Sequence, residues 1–296
     1  MRPLPVMPRR LVLGLVLGCI TATLAFAHPD DPKYLDFEAP YEGPGYRRLS
    51  QASQLPPLDH DFPVDNMTLW AWLPLDQLGF AGTLDSGNDC WGYVSPDRRE
   101  YALMGTSHGT AIVEVSVPEL SSVVAFIEGP TSTWRDIKTY QHYAYAVSEG
   151  GGGIQVMDLS QIDTGVVTLL DPVTDGGTPK SHNVVINEES GYLYRVGGDS
   201  NGMRVYSLAD PAAPAFVASW PDRYIHDMQV VTFTTGRWAG REIAFACAGF
   251  NGGWVETGLD VIDVTDKSDI RTIARLVYPD GEYSHQVWVD VEHGVA

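Results

Sequence analysis

Beyond residue 66, apolar and polar positions alternate with period two in short runs bounded by Gly, Asp, Asn and Pro, the signature of strands joined by turns. Four segments share one pattern: Thr110–Pro118, Gly153–Ser160, Gly202–Pro211 and Gly258–Asp266. A second apolar stretch follows each, at Val123–Ile127, Val166–Leu170, Ala215–Trp220 and Thr272–Val277. Another precedes each, at Tyr101–Met104, Tyr143–Val147, Tyr192–Val196 and Ile243–Ala248. A marker strand leads every unit: Asp89–Tyr93, Trp134–Lys138, Ser181–Val185, Ile225–Gln229 and, near the C-terminus, Ser284–Trp288. Taking Trp91, Asp136, Asn183, Asp227 and Gln286 as equivalent, the steps are 45, 47, 44 and 59 residues. Extra turn residues around Thr234–Arg241 and Asn251–Thr257 lengthen the last step.

Four strands per repeat of this length predict an all-β chain, a β-propeller of four-stranded antiparallel blades. Such a sheet cannot cover both its faces alone, so the units must stack around an axis. The pattern accounts for about four to five blades. Met67–Leu75 is a strand without a marker, placed to serve as the outer strand of the last blade and close the ring. Ser284–Val291 opens a fifth unit shortly before the chain stops at Ala296, so the sequence is expected to be a C-terminally truncated propeller over residues 67–296.

Upstream the pattern changes. Arg9 and Arg10 precede an apolar run, Leu11–Phe26, that ends in Ala25-Phe26-Ala27. This layout predicts a secretory signal peptide over residues 1–27, cleaved after Ala27. A lipoprotein signal at Cys19 is the lesser alternative, since the apolar run continues past that cysteine. Residues 28–66 read as an extended N-terminal arm. The expected location is secreted, periplasmic or cell-surface, with no transmembrane segment in the mature chain.

Charge narrows the partners. The chain carries −19, and loss of residues 1–27 leaves 16 basic against 38 acidic side chains, or −22. Such a polyanion is a poor partner for nucleic acid. It is compatible with a divalent cation, although acidic surfaces also simply keep exported proteins soluble. Cys90 and Cys247 lie far apart in apolar strand contexts and read as buried free thiols rather than a disulfide framework.

The Ile-x-Val-x-Asp-Val-type strands, with Gly87–Gly92, Trp134–Lys138 and Ser181–Val184, resemble LVIVD-repeat proteins, in particular the "choice-of-anchor B" group of exported bacterial proteins. The resemblance spans about residues 65–296. It implies a surface-attached or secreted propeller and carries no established enzymatic activity.

Candidate chemistry gathers on the marker strands. In a propeller the first strand of each blade lines the channel, so residues at its start meet near one mouth. That brings together Arg135, Asp136, His182, Asn183, His226, Asp227, His285 and Gln286 as candidate binding residues. His182, His226, Asp227 and His285 are the candidate metal ligands, for a divalent cation if any cofactor is present. Two functions follow. The first is a non-catalytic scaffold that binds an extracellular protein or glycan; a polar residue repeated at one position usually locks blade to blade. The second is a metal-dependent propeller hydrolase or lyase using Asp136, His182, His226, Asp227 and His285. Glu149–Gly153 and Asp199–Gly202 read as inter-strand turns rather than phosphate or calcium loops. No His-Glu-x-x-His or Cys-x-x-Cys is present.

Overall fold

A computed structural model describes residues 45–47, 65–249, 257–279 and 284–296. The expected signal peptide, most of the N-terminal arm and most of the Asn251–Thr257 hairpin lie outside these residues. Two short strands, β1 (Tyr46–Arg47) and β2 (Ala71–Trp72), pair with each other. Four antiparallel sheets of four strands follow, each a meander in chain order. The first blade is β3 (Gly87–Val94), β4 (Glu100–Thr106), β5 (Gly109–Glu114) and β6 (Ser122–Glu128). The second is β7 (Arg135–Tyr140), β8 (Tyr143–Ser148), β9 (Gln155–Asp158) and β10 (Thr168–Leu169). The third is β11 (Asn183–Asn187), β12 (Tyr192–Val196), β13 (Met203–Ser207) and β14 (Ala215–Trp220). The fourth is β15 (Ile225–Phe233), β16 (Arg241–Ala248), β17 (Gly258–Asp263) and β18 (Arg271–Val277). The leading strands β3, β7, β11 and β15 pack in succession along the axis, as blades of a propeller do. No helix among the described residues is long and apolar enough to cross a membrane.

Period-two alternation turns one set of side chains toward each neighbouring blade. Three buried apolar layers result. Leu103 and Ile112 meet Ile137, Ala144 and Met157 between the first and second blades. Tyr145 and Val156 meet Leu193 and Tyr206 between the second and third. Tyr194 and Val205 meet Met228, Ala244 and Ile262 between the third and fourth. A glycine stands at the head of the third-strand segment in every blade, and close approach requires it. A Cβ at Gly109, Gly153, Gly202 or Gly258 would come within 2.2, 2.1, 1.7 or 1.9 Å of a carbonyl oxygen on the chain outside it. The outer strand passes directly over that backbone.

The Met67–Leu75 segment does not serve as the outer strand of the last blade. Its Ala71–Trp72 pairs with Tyr46–Arg47 of the arm, and Arg47 donates to the Ser121 carbonyl. Leu73 and Leu75 continue with Leu78, Phe80 and Leu84 onto Ala111, Val113 and Phe126. They cover the face of the first blade that points away from the second. That face is apolar, and covering it removes it from water.

Two local readings also shift. The outer strand expected over Val166–Leu170 pairs only at Thr168–Leu169, because a 3-10 turn at Ile162–Thr164 and a left-handed Gly165 carry the chain out first. Ser284–Trp288 joins no sheet, although Asp290 and Val295 bridge behind it. Cys90 is exposed rather than buried, Cys247 is buried, and both thiols are free.

Candidate functional site

The leading strands place three aspartates at one structural position. Pairing aligns Cys90 with Met104, Ile137 with Ala146, Val184 with Arg195 and Met228 with Ala246. The preceding residues, Asp89, Asp136, Asn183 and Asp227, are therefore equivalent. Trp91, taken from the sequence as the counterpart of Asp136, lies two residues further on. In β3 and β15 the register slips at this point, so Asn88-Asp89 and His226-Asp227 stand outside the ladder. A bulge of this kind re-aims side chains, here toward the axis. The aspartates behave alike locally: the Oδ1 atoms of Asp89, Asp136 and Asp227 each accept the next residue's amide at 2.7 Å.

Their second oxygens differ. Asp136 Oδ2 accepts the Val184 amide of the next blade at 2.8 Å, and Lys138 Nζ reaches its Oδ1 at 2.6 Å. Lys138 also lies 3.6 Å from Asp89 and 4.5 Å from the Trp91 ring centroid. Burial drives the Asp136 carboxyl well above its ordinary pKa. Burial acts the same way on Asp89, but hydrogen bonds and Lys138 outweigh it and leave that carboxyl below its ordinary value. Among the described residues Asp227 accepts only its neighbour's amide, and burial pushes its pKa up to about 6.

Arg135 is turned away from the channel and fully buried. Its guanidinium donates to the Thr106 carbonyl at 3.2 Å, Gln155 Oε1 at 3.0 Å and the Pro130 carbonyl at 2.6 Å. Asn183 donates to the His226 carbonyl at 3.3 Å. His182 Nδ1 lies 2.6 Å from Glu149 Oε1, which places the ring proton on Nδ1. The rings of Trp134, His182, His226 and His285 follow one another across the blades at 5.2, 4.0 and 4.8 Å between centroids.

An axial cavity of about 460 Å³ opens beside this stack. His182, Asn183, His226, Asp227, His285 and Gln286 line it, together with Asp89, Trp91, Trp134, Lys138 and Trp288. Six of the eight residues singled out from the sequence thus share one cavity, while Arg135 and Asp136 lie behind its wall. Asp89 and the three tryptophans join the site only in the fold; the shared pattern of an aspartate before an apolar residue (Asp89-Cys90, Asp136-Ile137, Asp227-Met228) is the sequence signal for Asp89. The neighbouring imidazoles pack against one another at interplanar angles of 40° and 41°. Among the described residues no group of three or more His, Cys, Asp or Glu side chains is set to hold a metal ion.

Gly105-Thr106-Ser107-His108-Gly109 has the spacing of a nucleophile elbow, with Ser107 Oγ 2.9 Å from His108 Nδ1. It occupies the hairpin between β4 and β5, so no helix follows the serine, and Ser107 Oγ accepts the Asp85 amide at 2.9 Å. The elbow needs a strand-to-helix turn, and here the motif is a hairpin.

No protein-family model and no curated protein matches the chain. Solved structures do. Hydrazine synthase of Kuenenia stuttgartiensis is 13% identical with a TM-score of 0.43, over 63% of this chain and 48% of that one. An α-L-arabinofuranosidase from Clostridium thermocellum is 12% identical with a TM-score of 0.39, over 69% and 75%. The N-terminal domain of Nup159 is 11% identical with a TM-score of 0.34, over 66% of each. The chain spans about half the length of the hydrazine synthase chain it matches. At such values no residue role or activity transfers, and the β-propeller architecture stands on the strand order and pairing of this chain itself.

Proposed function

We propose that this protein is a non-catalytic, exported propeller scaffold that takes an extracellular or envelope protein or glycan at its axial cavity. One observation carries the reading: three of the polar groups that open the leading strands, those of Arg135, Asp136 and Asn183, are spent between blades. Asp136 holds the next blade's Val184 amide, Asn183 holds the His226 carbonyl, and Arg135 holds the Thr106 and Pro130 carbonyls. A catalytic group must be free to reach substrate, whereas a repeated, satisfied polar group serves the stacking. Residues 1–27 and the resemblance to LVIVD-repeat proteins support export. The mixed lining of tryptophan, histidine and carboxylate suits a ligand site.

The test is thermal melting of the native protein and of Trp288→Ala, at the exposed rim, against soluble cell-wall oligosaccharides and envelope peptides. A saturable rise in Tm that the variant lacks is expected. A protein that retains stoichiometric metal, releases it on His182→Ala with His226→Ala, and hydrolyses a substrate in a chelator-sensitive way would replace this reading with the metal-dependent hydrolase or lyase. The observation favouring that second reading is Asp227, whose carboxyl, raised to about 6, is suited to general base work near neutrality.

A further inference from the structure

At one position of the third strand, opposite the second, the blades carry Gln155 (opposite Ala146), Arg204 (opposite Arg195) and Asp260 (opposite Ala246). In the second and fourth blades this residue is an acceptor for a buried arginine. Gln155 Oε1 takes Arg135 Nη1 at 3.0 Å. Asp260 Oδ1 takes Arg223 Nη1 at 2.9 Å and Arg275 Nε at 2.9 Å. In the third blade the acceptor is missing, and a second guanidinium stands in its place.

Arg195 is 0% exposed. Its Nη2 donates to the Thr178 carbonyl at 2.9 Å and, weakly, to that of Asp175 at 3.4 Å, and the guanidinium lies 5.2 Å from the Tyr206 ring centroid, while its Nε and Nη1 are buried without a hydrogen-bond acceptor. Arg204 donates from Nε to the Gly176 carbonyl at 2.8 Å and from Nη2 to Ser200 Oγ at 2.5 Å, and its Nη1 is likewise buried without a partner. Among the described residues neither guanidinium has an ion pair. Asp175 and Asp199 act on them only at longer range. Paired positions hold the two cations side by side, where like charges repel and orphaned donors are costly. Burial lowers the pKa of both, as expected of cations that have lost water without gaining a counter-charge.

We propose that a small inorganic anion of halide size binds between Arg195 and Arg204, in the layer between the second and third blades, and supplies the acceptor that Gln155 and Asp260 supply in theirs. The nitrogens left without acceptors are buried, and neither arginine lines the axial cavity. A chain of net charge −19 repels anions from its surface, so one held here marks a specific site.

The experiment is melting of the full chain at fixed ionic strength while chloride is replaced stepwise by gluconate, a bulky carboxylate that cannot take the place of a halide between two buried guanidinium nitrogens. Native protein is expected to lose Tm as chloride falls, in the manner of any ligand that binds only the folded state. Arg204→Gln, which restores the amide found in the second blade, should melt at one temperature throughout. A native Tm indifferent to the replacement overturns the proposal, as does an Arg204→Gln variant with the full chloride dependence. Crystals of native protein grown in bromide give a second readout that needs no variant. An anomalous peak bridging the guanidiniums supports the site, and a water without anomalous signal there refutes it.

Discussion

Asp136 and Asp227 hold the same place in their blades and differ only in what reaches the second carboxylate oxygen. For Asp136 it is the Val184 amide, with Lys138 on the other oxygen. Asp136→Ala strands a buried ammonium and a buried amide, and should cost about 3 kcal/mol of unfolding free energy in urea titrations. Asp136→Asn keeps one acceptor and should cost less. For Asp227 no donor among the described residues arrives beyond its neighbour's amide, and the group pays for burial instead. Its pKa of about 6 lies above the unfolded value, so the native state binds the proton more tightly. Above about pH 6 the ionised carboxylate destabilises the fold, and that cost fades as pH falls through 6 toward 4. Asp227→Asn should therefore melt higher than native protein at pH 7, by about 2 kcal/mol, with the advantage gone near pH 4. An unchanged difference across that range would rule the explanation out. The importance of Asp136 and Asp227 was legible in the sequence from their recurrence; that of Asp89 was not, because it stands in the bulge of β3, two residues before the tryptophan that catches the eye.

At the scale of the element, each blade is set by a glycine at the head of its third-strand segment. Gly202 combines φ +83° with an outer-strand carbonyl that would lie 1.7 Å from an added Cβ, whereas Gly165 has φ +79° and nothing within 4 Å. Both substitutions to alanine strain the backbone, but only one also pushes two strands apart. Gly202→Ala should cost about 3 kcal/mol or more, and Gly165→Ala about 1 kcal/mol. Equal losses would mean that the close approach does not matter. The glycines at 109, 153, 202 and 258 recur visibly along the chain, so the element boundary was readable. The reason for them was not, since the carbonyl overhead belongs to a strand about 18 residues later.

The blades cohere as a molecule through shared apolar layers and a few buried polar bridges. Glu242 of the fourth blade accepts from Tyr194 at 2.6 Å and Asn187 at 2.9 Å in the third, and from Lys267 at 2.6 Å in its own. Leu193 is fully buried between the second and third blades, so Leu193→Ala should remove about 3 kcal/mol. Because each layer belongs to two blades, far-UV circular dichroism and tryptophan fluorescence should still report one shared, lowered transition. Two separated transitions would show that the blades melt independently.

The four-strand unit and the order of its strands in the four blades were determined by the sequence alone, because alternation and turn chemistry act over a few neighbouring residues. So was the meeting of His182, Asn183, His226 and Asp227, which follows once first strands share an axis; His285 and Gln286 reach the same cavity from a segment that joins no sheet. Only the tertiary structure decided which of the polar groups remain open to a ligand. Arg135 turns into the blade interface, Asp136 is consumed by an amide 48 residues away, and Met67–Leu75 joins the arm rather than a ring closure. Hydrogen-bond partners at that separation, and a register slip of one residue, leave no trace in the local pattern of apolar and polar positions.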